Sequence, residues 1–434
     1  MRLPPLLAAF LLAAPASAQT APPQPVRADP AFTLRLGELI AILNGGGDYA
    51  GYFTPAFQEK VPQAMLQSVT AQLIAANGKP LAILGVTQET PWRANIRVQY
   101  EKAVANVLLV ADPAPPHRVG GLLVRGFESA EKTLPQVESA LATLPGDVGY
   151  AIAKLGSGAP QPLAGRNADK PYAIGSAFKL VILAELVRAT NAGERKWDDL
   201  VTLDGGMLPG GGYTMKPKGT QVTLRELATQ MISISDNSAT DILLQHLGRA
   251  KVEAMMPVLG IADPARNRPF LGTLDVFRLK GVAGLGDRYL ALDEAGRRKL
   301  LEGEVAGIPP ILIDATSFTR KIPNRIDTLE WFETPNDLVR VMDWLRRNTE
   351  GMAGTDARRI LSTNPGVSPD VRGKWQWIGY KGGSEPGVMN MTLLLQARNG
   401  DWYVVTGSWN DMPKAVDESR FASLIGKAAE LTAP

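Results

Sequence analysis

Between Lys154 and Trp375 the sequence reads mostly as helix, and on either side of that stretch it reads as strand. No other feature constrains the fold as much. Upstream stands one run, Val148-Gly149-Tyr150-Ala151-Ile152-Ala153-Lys154. Downstream stand three: Trp375–Gly382, Met389–Ala397 and Trp402–Trp409, with Asn399-Gly400 as a hairpin turn between the last two. A buried strand must pair its backbone N–H and C=O groups with a neighbour. The first run is therefore expected to join the last three in one antiparallel sheet. Helices at Leu134–Leu144 and about Val416–Leu431 would cover it, with a helical block inserted between the strands. The expected class is α+β.

The chain before Ser129 has a different pattern. Asp29-Pro30 is a cap followed by proline at the first helical position, and opens a helix to about Leu43. A second helix from about Pro62 to Asn77 carries Met65, Leu66, Val69, Leu73 and Ile74 on one face and stops at Gly78. Four strand-like runs follow: Leu81–Glu89, Arg93–Tyr100, Ala103–Val110 and Val119–Phe127. In the second, Ala94, Ile96, Val98 and Tyr100 alternate as in a half-buried strand. Helices followed by a four-stranded meander resemble small α+β domains of the cystatin-like or NTF2-like type. Phe53, Phe57 and Trp92 read as core, and the region holds no catalytic constellation. The expected boundaries are 29–128 for this domain and 129–434 for the second.

Composition narrows the function classes. The first eighteen residues, with Arg2, an apolar Leu6–Ala14 and Ala16-Ser17-Ala18, read as a cleavable secretory signal, followed by a flexible leader to Ala28. The mature protein is expected in a periplasm or outside the cell. With 434 residues and a net charge of +3, no basic cluster points to nucleic acid. No stretch is long and apolar enough to span a membrane. There is no cysteine, which excludes disulfides and a thiol nucleophile. The two histidines, His117 in a loop and His246 in a helical pattern, read as structural. A zinc hydrolase and a Ser-His-Asp triad are both disfavoured, and no cofactor or metal is expected.

Three short stretches carry chemistry. In Gly175-Ser176-Ala177-Phe178-Lys179, a serine and a lysine stand three residues apart at the start of an apolar helix. A serine hydroxyl needs a base in reach and donors for the charge that develops on the carbonyl oxygen. A lysine can be that base only if burial or other cations depress its pKa. Alone, the spacing equally describes a capping serine and a solvated lysine. The second stretch, Ser235-Asp236-Asn237, reads either as a capping turn or as a polar loop facing the nucleophile. The third, Lys381-Gly382-Gly383-Ser384, reads either as an edge strand with a solvated lysine or as a cation on a strand that a substrate can approach closely.

Ser-x-x-Lys, Ser-Asp-Asn and Lys-[Thr/Ser]-Gly in this order are the signature of penicillin-recognising serine enzymes; the first two match and the third matches in part. From about Thr133 onward the chain resembles class A β-lactamases. Its whole layout resembles the subgroup with an N-terminal cystatin/NTF2-like domain. The resemblance implies a β-lactamase/transpeptidase-like fold, with Ser176 as the acylated nucleophile, Lys179 as its base and Ser235 as the proton relay. It also implies Asn237 as a substrate-amide ligand and Lys381 as the anchor for a substrate carboxylate. Backbone N–H groups of Ser176 and Ser384, beside Gly383, would form the oxyanion hole. Gly382 lacks the hydroxyl usual at the motif's middle position, and Ser384 could replace it.

A further departure concerns deacylation. Class A enzymes activate water with a glutamate in a Glu-x-x-Leu-Asn loop, and no such stretch follows Ser235. Asp275, in Gly272-Thr273-Leu274-Asp275, is the nearest acidic candidate, one methylene shorter than glutamate; a capping or salt-bridged loop aspartate is the favoured reading. The surplus length around Phe277–Phe318 could remodel the rim of the site. The expected partner is a small β-lactam or ester substrate, or peptidoglycan fragments. The expected activity is β-lactam hydrolysis or cephalosporin-type ester cleavage. A DD-peptidase and a degenerate β-lactam- or muropeptide-binding module are the alternatives.

Overall fold

Thirteen strands form the described sheets: β1 Pro80–Thr90, β2 Arg93–Tyr100, β3 Ala103–Ala111, β4 Val119–Ser129, β5 Asp147–Leu155, β6 Gln161–Arg166, β7 Tyr172–Ala173, β8 Leu200–Thr202, β9 Gln221–Thr223, β10 Phe332–Glu333, β11 Trp377–Glu385, β12 Val388–Gln396 and β13 Trp402–Asn410. The structure, a computed structural model, describes residues 26–434 apart from Arg320, Met352 and Ala353. The expected signal, 1–18, and the leader up to residue 25 lie outside the described residues.

The chain divides into two units, one running to Glu101 with Ala105–Arg125, the other comprising Lys102–Val104 and Gly126–Pro434. In the first, helices Pro30–Leu43 and Gln63–Asn77 stand where expected, and Asp29 Oδ1 accepts the Ala31 N–H at 2.8 Å as the cap. Two short helices, Tyr49–Tyr52 and Pro55–Lys60, were not anticipated. Each is opened by a side-chain cap, Asp48 and Thr54, rather than by an apolar period, so periodicity could not show them. The four expected strands form one sheet in the order β1-β2-β3-β4. Phe53 is fully buried and stacks on Phe57 with centroids 4.2 Å apart.

In the second unit the sheet runs β11-β12-β13-β5-β6. The first strand therefore does pair with the last, across the inserted block: Trp402 lies opposite Leu155 and Asn410 opposite Asp147. The outer strand β6 was missed; with Pro162 and Gly165 it has little strand character of its own, and pairing with β5 alone makes it one. Alternate side chains leave opposite faces of the sheet. Ala151, Ala153, Leu394 and Val404 enter the core shared with the helical block. Tyr150, Ile152, Leu393 and Val405 enter a second core covered by helices Leu134–Ala142 and Glu418–Thr432.

The helix Lys179–Asn191 lies in the middle of the larger core, buried almost all round from Lys179 to Ala189. A helix apolar on every side has no solvent face. Its N-terminal end is thereby fixed, and the turn that carries Ser176 with it.

Candidate active site

Ser176 lies in a single 3-10 turn, Gly175–Phe178, and the α-helix proper begins at Lys179. Gly175 holds the turn with φ at +48°, a conformation costly for any other residue. The edge strand β11 packs directly on this turn. A Cβ at Gly383 would collide with the Ile174 carbonyl oxygen and the Ser176 nitrogen, and one at Gly175 would stand 3.1 Å from the Ser384 nitrogen. Gly383 is thus required by the approach of the Ser176 turn, where the sequence had suggested the approach of a substrate. The backbones of Ser176 and Ser384 are thereby brought close together. The Ser384 side chain is exposed.

Lys179 is completely buried, and its Nζ donates to the Ser235 carbonyl at 2.7 Å, to Asn237 Oδ1 at 2.8 Å and to Ser235 Oγ at 3.1 Å. Among the described residues no hydrogen bond joins it to Ser176. Burial lowers its pKa to about 7, against the pull of Asp241 and Asp236 in the other direction. A neutral amine has only two hydrogens to donate. When Lys179 loses its proton, the longest of its three contacts reverses, and the Ser235 hydroxyl can donate to the nitrogen.

Lys381 converges on the same hydroxyl. Its Nζ lies 3.1 Å from Ser235 Oγ and 2.6 Å from the Gly382 carbonyl. Two nitrogens each 3.1 Å from one oxygen are at most about 6 Å apart. At an effective dielectric of about 20, two full charges at that separation repel by about 3 kcal/mol. Burial, and then the charge of Lys179, hold Lys381 well below the ordinary lysine range. Ser235 meets both amines because its backbone sits in the left-handed region, φ +61°. Asp236 holds that turn: its carboxylate accepts from the Ala239 N–H at 2.8 Å, from Ser238 Oγ at 2.6 Å and from the Gly212 N–H at 2.6 Å.

The missing hydroxyl at Gly382 has a packing explanation. A Cβ there would collide with the hydroxyl of Tyr380, which the strand turns to the same face two residues earlier.

Asp275 is placed differently. It stands near the start of helix Thr273–Gly281, where its Oδ2 accepts from the Gly272 N–H at 2.9 Å and from Arg249 at 3.0 Å. This is the capping and salt-bridged arrangement. Asp241, to which the sequence assigned no role, caps the same helix from below Asn237. Its two oxygens accept the Thr273 and Leu274 N–H groups at 2.7 and 2.9 Å. Burial pushes its pKa up to about 6, against those two hydrogen bonds. Trp331 was also missed. Its ring stacks on Phe178 at 3.7 Å, and its indole N–H donates to the Leu271 carbonyl at 2.9 Å. Only its contacts reveal it, because its local sequence carries no motif.

Just beyond the surplus segment, Asn324 Nδ2 donates to the Lys280 carbonyl at 3.4 Å, and the Pro323 ring lies against Gly387 in the β11–β12 turn. Neither a metal-holding group of side chains nor a membrane-length apolar helix is found among the described residues.

A mixed sheet-and-helix domain with a serine turn, a buried lysine and a Ser-Asp-Asn loop at one edge has the β-lactamase/transpeptidase-like α+β fold. A family model described as the beta-lactamase enzyme family matches residues 131–366, more than half of the sequence, and the chain belongs to that family. The match ends before β11 and its Lys381. No curated protein matches the sequence. Similar solved structures include a beta-lactamase from Sphaerobacter thermophilus, 22% identical over 68% of this chain and 95% of that one, TM-score 0.46. A beta-lactamase from Chitinophaga pinensis is 17% identical over 68% and 96%, TM-score 0.46. PBP-A is 16% identical over 70% and 96%, TM-score 0.46. Likeness at this level says nothing about substrate.

Proposed function

We propose that the protein is an exported serine hydrolase that forms an acyl-enzyme at Ser176 with β-lactams or related esters and amides. The observation that carries the proposal is the convergence of Lys179 and Lys381 on Ser235 Oγ, beside the turn that holds Ser176. Lys179, partly neutral at physiological pH, takes the Ser176 proton through a rotation of its amine or through Ser235. The Ser176 and Ser384 amides hold the carbonyl oxygen as it gains charge. Ser235 passes the proton to the leaving nitrogen or oxygen. Lys381 and the exposed Ser384 hydroxyl attract a carboxylate on the substrate, and Asn237 binds its amide. The first unit, of cystatin- or NTF2-like type, is a support without chemistry of its own.

Acylation outpaces deacylation in this reading. Asp275 is committed to Gly272 and Arg249, which leaves it badly placed to take a proton from water. That same observation favours a second reading, a slow acylating receptor for β-lactams or muropeptides. Intact-protein mass spectrometry over time, with a penicillin, a cephalosporin and a simple ester, separates the two. A transient adduct on Ser176 is the expected result for at least the ester. An adduct that persists with all three supports the receptor, and no adduct with any of them overturns the acyl-enzyme reading.

A further inference from the structure

A third buried lysine, Lys280, takes no part in the chemistry above. Lys280, at the end of helix Thr273–Gly281, has a side chain wholly out of solvent. Its Nζ donates to Glu330 at 2.6 Å and to Glu385 at 2.7 Å. The Glu330 side chain is 2% exposed and that of Glu385 19%. Two carboxylates around one ammonium leave an excess negative charge or a shared proton. Burial, and then Glu330, push the Glu385 carboxyl well above its usual range. Removing such a cluster from water is costly, and an apolar trio of the same volume is often as stable or more so. Stability alone does not account for its presence.

Its place in the chain does. Glu330 precedes Trp331, whose carbonyl accepts the Ile174 N–H at 3.0 Å and whose ring stacks on Phe178 at 3.7 Å. One residue further, β10 pairs with β7, Phe332 opposite Ala173. The segment after Glu330 therefore grips the nucleophile turn on both sides of Ser176. Glu385 follows Ser384, and Gly383 and Ser384 lie on Gly175 and Ser176. Because β11 is the outer strand of its sheet, no neighbouring strand holds it on that side. Two walls meet at the turn, and Lys280 ties them together behind it.

We propose that Lys280, held between Glu330 and Glu385, is a positioning residue for the oxyanion donors, joining the end of β11 to the Glu330–Phe332 segment and so fixing the spacing of the Ser176 and Ser384 amides. The proposal rests on the acyl-enzyme reading. Donors aimed at a developing oxyanion lose much of their effect when displaced by fractions of an ångström. No proton or bond is exchanged at the cluster; its part is geometric.

The test uses the full-length protein with Glu385→Gln, Glu385→Ala and Lys280→Met, each checked for cooperative thermal unfolding. A glutamine still accepts from Lys280, whereas an alanine leaves the ammonium short of a partner. The acylation rate constant and the half-saturating concentration for benzylpenicillin are measured separately. Glu385→Gln is expected to stay within about threefold of the parent. Glu385→Ala is expected to lose about tenfold or more in the rate constant, with half-saturation little changed, a loss smaller than that for removing an oxyanion donor outright. Lys280→Met, if folded, should fall at least as far as Glu385→Ala. Equal acylation by Glu385→Ala and Glu385→Gln overturns the proposal. Amide hydrogen exchange at Gly175–Ser176 and Gly383–Ser384 gives a readout independent of activity. Faster exchange in Glu385→Ala than in Glu385→Gln supports the tie, and equal exchange overturns it. If the parent itself is never acylated, the acyl-enzyme reading fails while the exchange result still decides the positioning role.

Discussion

The two sides of the site use charged residues in opposite ways. On the Lys179 side, two buried cations share one serine hydroxyl, and each is driven from its ordinary pKa. On the Asp275 side, two carboxylates each accept backbone N–H groups at the start of one helix, and Asp275 adds an arginine. In the first arrangement burial depresses two amines that meet at one hydroxyl, which favours proton exchange. In the second the carboxylates are committed to backbone N–H groups and stabilise a helix start. In the proposed reading, the Lys179 side would serve acylation, whereas the Asp275 side holds a helix start in place.

The sharpest break would come at Ser176. Ser176→Ala should abolish covalent labelling by a β-lactam or phosphonate probe in a protein that still unfolds cooperatively. Labelling that persists would move the chemistry off this turn altogether. Next in size is Lys179→Ala, expected to slow acylation by roughly a hundredfold or more, the usual loss for a positioned base. A rate equal to the parent's would make the lysine structural, and the contrast between the two sides would vanish.

A pH profile sharpens the comparison without a substitution. Acylation should rise about tenfold per pH unit below about 7 and level off above it, as Lys179 loses its proton. The same shift has a stability counterpart of defined sign. A lysine whose folded pKa is depressed contributes stability that is present above its unfolded value of 10.5 and is lost as pH falls toward about 7. Lys179→Met should therefore flatten the dependence of stability on pH between those values. An unchanged dependence, measured by denaturant unfolding, would place the perturbation elsewhere.

The smallest effect is expected at Asp275. Asp275→Asn should leave turnover within about twofold and lower stability by at most about 1 kcal/mol, because an amide oxygen can still accept the Gly272 N–H and only the charge paired with Arg249 is lost. A tenfold fall in deacylation with stability intact would instead make Asp275 the water-activating base, and the two sides of the site would be chemically alike.

Much of this was legible in one dimension because it is periodic or local. Alternation along β2 marks a strand whatever it packs against. The Asn399-Gly400 turn fixes a hairpin, and the three motifs name Ser176, Lys179, Ser235, Asn237 and Lys381 as candidates. By itself the sequence determined the α+β class, the pairing of an early strand with the last three, and the residue types available for acyl transfer. Only the tertiary structure decided what those residues meet. It made Gly383 and Gly175 a close packing of strand on turn and drew both amines to one hydroxyl through the left-handed backbone of Ser235. It gave Asp275 to a helix start and brought Trp331, Asp241 and Lys280 to the site from stretches without any motif. The physical reason is range. Periodicity and capping act within a few residues, whereas a depressed lysine pKa or an excluded Cβ depends on atoms that the chain brings together from far apart.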